Sequence, residues 1–154
     1  MGSKNNLAAF KEDFSLMIEA GFVAVKQCDE RSARQIFKTA QILSPKSVAP
    51  EIGLGYIALN KMQLKESDAI FEDVVKKEPN NLLASAFLGI SYVLQKAKRK
   101  KGIELLENAR DKSDEATVKN LAEITLKWIV KDLEKKESKA PFFQQGKKKE
   151  EKVK

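Results

Sequence analysis

The stretch Val48–Asn81 reads VAPEIGLGYIALNKMQLKESDAIFEDVVKKEPNN, and similar sequence precedes and follows it. A backward step of 34 residues places Phe71 on Phe37 and Gly55 on Gly21. A match at one fixed period, in small and aromatic positions together, is typical of a repeat array of two-helix units. The sequence therefore predicts stacked pairs of helices. The same step relates Pro79 to Pro45, Val74 to Ala40, Ser67 to Ala33, Leu54 to Ala20, and Leu88-Gly89 to Leu54-Gly55.

The length and composition of the chain limit the class of protein to which it can belong. A chain of 154 residues suits one domain with a sizeable core. Its apolar runs are shorter than the ~18 residues that a membrane-spanning helix needs, and its first residues lack the apolar core of a signal peptide. A single cysteine, Cys28, excludes an internal disulfide and suits a reducing compartment. We therefore expect a cytoplasmic protein without a membrane span.

The sequence offers no constellation of catalytic residues. The chain has no histidine, which removes the commonest general base and the commonest metal ligand. The acidic pairs Glu66/Asp68 and Glu72/Asp73 fall on a face that we interpret as solvated, with lysines nearby. Gly53-Leu54-Gly55 lies within a predicted helix and lacks the Gly-Lys-Ser/Thr of a phosphate-binding loop. We expect no enzymatic activity, no cofactor, no metal and no small-molecule substrate.

Hydrophobic periodicity divides the chain into helices and tails. Asp29 is a suitable N-cap for the second helix. The turn Gln95–Lys101 is one residue longer than its predecessors, so Gly102, Leu106 and Ala109 take the places of Ser67, Phe71 and Val74. The predicted helices are about 7–26, 30–43, 49–59, 64–77, 82–94, one after residue 101, and 115–135. The predicted organisation is a flexible N-terminus (1–6), a helical domain (7–136) with units at about 14–47, 48–81 and 82–114 and a capping helix at 115–136, and a disordered basic tail (137–154). The face of the capping helix that would cover the open end of the stack comprises Val118, Leu121, Ile124, Thr125, Trp128, Ile129 and Leu133.

These positions resemble the tetratricopeptide repeat. In that repeat, small residues let the two helices of a pair approach closely, an aromatic residue fills the gap between them, and proline ends the unit. The resemblance implies an all-α fold of three helix-turn-helix repeats in a right-handed solenoid with a C-terminal capping helix. The chain departs from the pattern at Ala20, where leucine is usual, and in its third repeat, which lacks the terminal proline. The positions that carry the resemblance are Gly21, Gly55, Gly89, Ala33, Ser67, Gly102, Phe37, Phe71, Leu106, Pro45 and Pro79.

Short proteins of three such repeats with a C-terminal helix resemble the chaperones of bacterial type III secretion. The stretch Ile52–Tyr56 (IGLGY) and the turn before the acidic amphipathic helix are more similar to the needle-subunit chaperones than to the translocator chaperones. The resemblance implies a bacterial cytoplasmic protein. It would hold the amphipathic helix of a secreted needle subunit, or a segment of a translocator subunit, and prevent early polymerisation. A small co-chaperone would assist.

The resemblance also implies which residues bind the partner, because the first helix of each repeat lines a concave face. The side chains placed there are apolar or aromatic, and an exposed patch of that size is larger than a monomer normally shows. An amphipathic helix laid in the groove would cover it. The predicted groove residues are Ile18, Phe22, Val25, Ile52, Tyr56, Leu59, Ala86, Ile90 and Val93.

Other interpretations remain open. The predicted groove residues could form the core of a compact bundle, be covered by the protein's own terminal segments, or pair with a second copy. The protein could be a general scaffold module. RNA binding through the basic turn Lys96–Lys101 and the lysines Lys147–Lys149 is less favoured, because aromatic stacking residues are missing beside them. The same turn could instead steer an acidic partner. In the tail, the apolar feature is the pair Phe142-Phe143, to which the sequence assigns no role.

Overall fold

A computed structural model describes the backbone of residues 2–133 and the side chains of residues 8–133. This part of the chain is all-α, with seven α-helices and no strand. The predicted tail, with Phe142-Phe143 and Lys147–Lys149, lies outside the described residues, as do residues 134–136 of the predicted capping helix. The helices are α1 (Gly2–Lys26), α2 (Glu30–Leu43), α3 (Ala49–Asn60), α4 (Leu64–Lys77), α5 (Leu82–Val93), α6 (Arg99–Lys112) and α7 (Ala116–Trp128).

The helix boundaries follow the predicted ones closely, with differences at both ends of the chain. α1 begins at Gly2, so its backbone includes residues that the sequence assigned to a flexible N-terminus. Extending an existing helix adds one hydrogen bond for each residue that is fixed, which favours such extension. α7 passes at Trp128 into a π-helical turn, Ile129–Leu133. The predicted basic turn is shorter than expected, because a 3₁₀ turn, Lys96–Lys98, leads directly into α6.

The helices follow one another as neighbours in space. Each α-helix packs against the next one along the chain, and the odd-numbered helices also contact each other, α1 with α3, α3 with α5, and α5 with α7. The even-numbered helices α2, α4 and α6 each lie between two odd-numbered ones. α3 and α5 each contact four other α-helices, which explains why both are almost entirely apolar.

Close approach between the helices of each pair depends on glycine. A β-carbon at Gly21 of α1 would lie 2.5 Å from Cε1 of Phe37 on α2. The equivalent distance from Gly89 of α5 to Cγ of Leu106 on α6 is 2.9 Å. Both distances are too short for a real β-carbon, so these helices can approach only where the side chain is missing.

The predicted core positions of the even-numbered helices are confirmed. Three uncharged residues on each helix, ranging in size from glycine to phenylalanine, face the neighbouring odd-numbered helices. Their burial follows the amphipathic pattern of the sequence, since the opposite face of each helix carries most of the charges. The eight of these nine positions that are not glycine have 0% exposure, and Gly102 is buried as well: Ala33, Phe37, Ala40, Ser67, Phe71, Val74, Gly102, Leu106 and Ala109.

The turns after α1 and α3 have the same structure. Cys28 and Met62, 34 residues apart, have φ angles of 60° and 57°. After α3, Met62 N–H donates to Leu59 O and Gln63 N–H donates to Ala58 O, which is the hydrogen-bond pattern of a Schellman motif. The predicted N-cap is confirmed, because the Asp29 carboxylate accepts a hydrogen bond from Ser32 N–H.

α7 packs differently from the prediction. Val118, Ala122 and Ile129 are its buried residues, and they join Leu106 in one core cluster. Ile124 and Trp128, which were expected to help cover the end of the helical stack, are 67% and 37% exposed. The helix buries the face that meets α5 and α6, while Ile124 and Trp128 stay at the surface.

Candidate protein-binding surface

The predicted groove residues divide into two groups. Ile52, Leu59, Ala86 and Val93 are buried, with at most 7% exposure, and belong to the core clusters. In this conformation they contribute to packing rather than to an open surface. The other predicted groove residues are half-buried and retain accessible area: Ile18, Phe22, Val25, Tyr56 and Ile90.

Three of the half-buried residues occupy equivalent positions on the first three odd-numbered helices. Phe22 of α1, Tyr56 of α3 and Ile90 of α5 follow each other at steps of 34 residues. All three pack against the same core cluster, and so does Leu121 of α7, which is also half-buried. We call these four residues the odd-helix row. Leu121 was predicted to cover the end of the stack and was not assigned to the groove.

Aromatic contacts hold the middle of the odd-helix row in place. The ring centroid of Tyr56 lies 5.5 Å from that of Phe22 and 5.2 Å from that of Phe87. Phe22 in turn makes an edge-to-face contact with Phe37, at 5.3 Å, and Phe87 stacks on Phe71. Such pairs add stability beyond the burial of area. The row is therefore a fixed surface feature attached to the core on both sides.

Tyr56 combines a packed ring with an available hydroxyl. Among the described residues, the hydroxyl forms no hydrogen bond, while the ring contacts two other aromatic rings. A tyrosine with an apolar body and a free polar end is a frequent anchor of protein interfaces. The chemistry of this surface is apolar contact with a hydrogen-bond donor at its centre.

A buried carboxylate fixes the junction of α4, α5 and the basic turn. The sequence placed Asp68 on a solvated face, but its side chain is 6% exposed. It accepts hydrogen bonds from Ser91 Oγ at 2.6 Å, Gln95 Nε2 at 2.8 Å and Lys98 Nζ at 2.6 Å. Burial alone would raise the pKa of Asp68, yet these donors hold it below its usual value. Ser91, one of two serines on the otherwise apolar α5, was a sequence signal that could have pointed to this site.

Most of the described basic turn is engaged within the molecule. Lys98 pairs with Asp68, and both Lys98 and Lys101 lie over the ring of Tyr92, at 4.8 Å and 5.6 Å from its centroid. Arg99 Nε donates to Val93 O. Tyr92 itself donates to Glu72 Oε1 at 2.6 Å, and burial together with this bond raises the pKa of the phenol. The turn therefore contributes to structure at several of its charged positions.

A cleft of about 790 Å³ opens beside the predicted groove. The α4–α5 connection, residues 80–83, and the α6–α7 connection, residues 112–115, form its walls. Ile52 lines it and is the one predicted groove residue to do so. Its lining combines an exposed lysine and two exposed carboxylates with apolar side chains, so it differs in chemistry from the odd-helix row.

No model of a protein family matches the chain, and no curated protein is significantly similar to it. Within the described residues, no helix is both long and apolar enough to cross a membrane. The same residues contain no group of three or more cysteine, aspartate or glutamate side chains arranged to hold a metal ion.

Proposed function

We propose that the protein is a non-enzymatic binding protein, built from tetratricopeptide-like helical pairs, that holds an apolar helix of a partner protein against the odd-helix row. The observation that carries the proposal is that Phe22, Tyr56, Ile90 and Leu121, one from each odd-numbered helix, pack against the same core cluster and none is fully buried. A surface of this kind accepts an amphipathic helix through contacts spaced along one face of that helix.

The repeat interpretation is supported by three features that recur at the period of the sequence. The glycine contacts Gly21–Phe37 and Gly89–Leu106 are equivalent. The turns at Cys28 and Met62 have the same backbone conformation. Contacts between successive odd-numbered helices are those expected when helical pairs stack in one direction.

The fuller proposal is a bacterial cytoplasmic chaperone of type III secretion, holding the needle subunit by its amphipathic helix. Binding along the odd-helix row would cover the apolar face through which such subunits polymerise. Because Ile52, Leu59, Ala86 and Val93 are already buried, the contact area is smaller than nine groove residues would give. The partner is then held by few anchors, with Tyr56 at the centre.

The proposal is tested by co-expression with the needle subunit of the same cell and isolation of the complex. Tyr56→Ala combined with Ile90→Ala should weaken capture at least about tenfold, since interface anchors of this size each contribute more than 1 kcal/mol. Ile42→Ala is the matched control, because Ile42 is 79% exposed on α2 and does not belong to the row. Circular dichroism of each variant reports whether the helices remain folded. Unchanged capture by a folded Tyr56/Ile90 variant would exclude the odd-helix row as the site.

A general scaffold module is the second candidate. The burial of four predicted groove residues favours it, because a shallow surface suits transient binding to several partners rather than long-lived capture of one. The two candidate functions differ in the expected lifetime of the complex with the partner. A chaperone complex should survive size-exclusion chromatography, whereas a scaffold complex should dissociate during it. We do not propose RNA binding, since the basic turn is engaged internally and Tyr92 beside it is 5% exposed.

A further inference from the structure

One face of α1 is exposed where the equivalent faces of α3 and α5 are covered. Leu16 and Val23, seven residues apart and so on the same side of the helix, are 61% and 49% exposed. Ala20 lies between them and is also exposed. We call these three residues the α1 face.

The positions 34 and 68 residues further along the chain are mostly buried. Leu16 corresponds to Pro50 and Ala84, which are both buried, and Val23 corresponds to Ile57, at 3%, and Ser91, at 0%. The preceding even-numbered helix contacts the two positions equivalent to Val23. Ile57 shares a cluster with Phe37 and Ala33 of α2, and Ser91 donates a hydrogen bond to Asp68 of α4. The α1 face is thus shaped like a surface that a helix covers elsewhere in the same molecule.

Carboxylates border the α1 face. Glu12 and Asp13 lie one turn before Leu16, and Glu19 lies beside Ala20. All three are exposed, and none forms an ion pair with another described residue. An apolar stripe with unpaired negative charges beside it is complementary to a helix that has an apolar stripe bordered by lysine or arginine.

From these observations we infer that the α1 face is a second docking surface, distinct from the odd-helix row, and that its occupant is a basic amphipathic helix of a partner protein. A second copy of this chain is disfavoured, because its α1 face carries three carboxylates and one bordering lysine, Lys26, and is therefore a poorer charge complement than a helix bordered by lysine or arginine. The occupant would lie on α1 as α2 lies on α3. It would bury Leu16 and Val23, and its cations would lie beside the three carboxylates.

The test uses the full-length protein and two designed helical peptides of equal length. Both peptides carry the same stripe of leucine and alanine; lysines border it in one and glutamates in the other. Fluorescence anisotropy of the labelled peptides measures binding. We expect the basic peptide to bind at least about tenfold more tightly than the acidic one, and this preference to weaken as salt is raised.

Three variants locate the binding. Leu16→Ser with Val23→Ser should weaken binding of the basic peptide about tenfold or more, and Glu12→Gln with Glu19→Gln should remove the preference for the basic peptide. Ile42→Ser is the control and should leave binding unchanged, because Ile42 is an exposed apolar residue outside the α1 face. Circular dichroism checks that each variant is folded.

Several results would overturn the inference. Equal affinity for the two peptides, absence of binding by the basic one, or binding that Leu16→Ser with Val23→Ser leaves intact would each exclude a basic helix on the α1 face. Sedimentation velocity of the protein alone tests whether a second copy of the chain occupies the α1 face. A dimer that forms with rising concentration and is lost in Leu16→Ser would assign the face to a second copy instead.

Discussion

The ring of Phe71 lies against the backbone of Gly55, so closely that a β-carbon at residue 55 would come within 2.8 Å of Phe71 Cζ. Phe71 has 0% exposure, and its ring also stacks on Phe87. The ring therefore has no free direction in which to move. The closeness of α3 and α4 depends on this one missing side chain.

We expect Gly55→Ala to destabilise the protein, although alanine is the better helix former. Overpacking at this contact costs ~1–3 kcal/mol, whereas the gain in helix propensity is ~1 kcal/mol. Urea unfolding should show that the free energy of unfolding falls by about 1 kcal/mol. The matched experiment adds Phe71→Leu: with the smaller side chain the cost of Gly55→Ala should fall, giving a coupling of at least about 0.5 kcal/mol. Additive effects of the two substitutions would show that the ring and the glycine do not limit each other.

Ser67 and Ser91 provide a test in which one substitution has opposite effects at two sites. Both serines have 0% exposure, but Ser67 Oγ has no hydrogen-bond partner among the described residues, whereas Ser91 Oγ donates to Asp68. The positions equivalent to Ser67 hold Ala33 and Gly102.

Ser67→Ala should raise the free energy of unfolding by about 1 kcal/mol, because it removes a buried hydroxyl that gains nothing in the fold. Ser91→Ala should lower it by about 1–3 kcal/mol, because Asp68 then loses a donor. Thermal or urea unfolding of the two variants measures both effects. A destabilised Ser67→Ala variant would show that the hydroxyl has a partner after all.

The Asp68 network predicts a dependence of stability on acid. Because the hydrogen bonds from Gln95, Lys98 and Ser91 outweigh burial, the pKa of Asp68 in the folded chain lies below its ordinary value of 3.8. A depressed carboxyl pKa contributes stability that is present above the unfolded value and is lost as the pH falls through the folded one. The contribution should therefore be complete at neutral pH and disappear in strong acid.

Asp68→Asn tests this dependence. The free energy of unfolding of the variant should be about 2 kcal/mol lower at neutral pH, where the charged hydrogen bonds are intact, and most of this deficit should vanish in strong acid, once Asp68 is protonated. Asp111→Asn is the control: Asp111 pairs with Arg110 at the surface, so removing its charge should change stability much less. Urea unfolding across the pH range gives the comparison. An Asp68→Asn deficit that stays constant down to strong acid would contradict the assigned role of the carboxylate.

The boundaries of α2 and α4 could be predicted to the residue because both helices are amphipathic and each is followed by a proline. The odd-numbered helices were harder to interpret. α3 and α5 are apolar on nearly all sides, so periodicity could place them in the interior but could not show which side remains accessible. The repeat frame selected nine positions, and packing within the core clusters, which include residues of α4 and α6, buries four of them.

Long-range partners explain what else the sequence did not reveal. Asp68 was interpreted as solvated because its neighbours in sequence are charged, yet its donors come from residues 23 to 30 positions later. The α1 face was missed for a different reason. Leu16 and Val23 fit the helical pattern of a core helix, and only the position of α1 at one end of the row of helices leaves them exposed.

Met62 provides a last prediction, because it adopts a left-handed conformation that is unfavourable for any residue with a β-carbon. Its φ of 57° ends α3 in a Schellman motif, and its side chain is 60% exposed. Met62→Gly should therefore stabilise the protein by about 1 kcal/mol, since glycine adopts this conformation without steric cost and little packing is lost. Asn60→Gly, the same replacement within the last turn of α3, should destabilise it by about 1 kcal/mol. Thermal unfolding of both variants measures these changes in stability. If Met62→Gly lowers the stability as much as Asn60→Gly does, the backbone at position 62 is not strained.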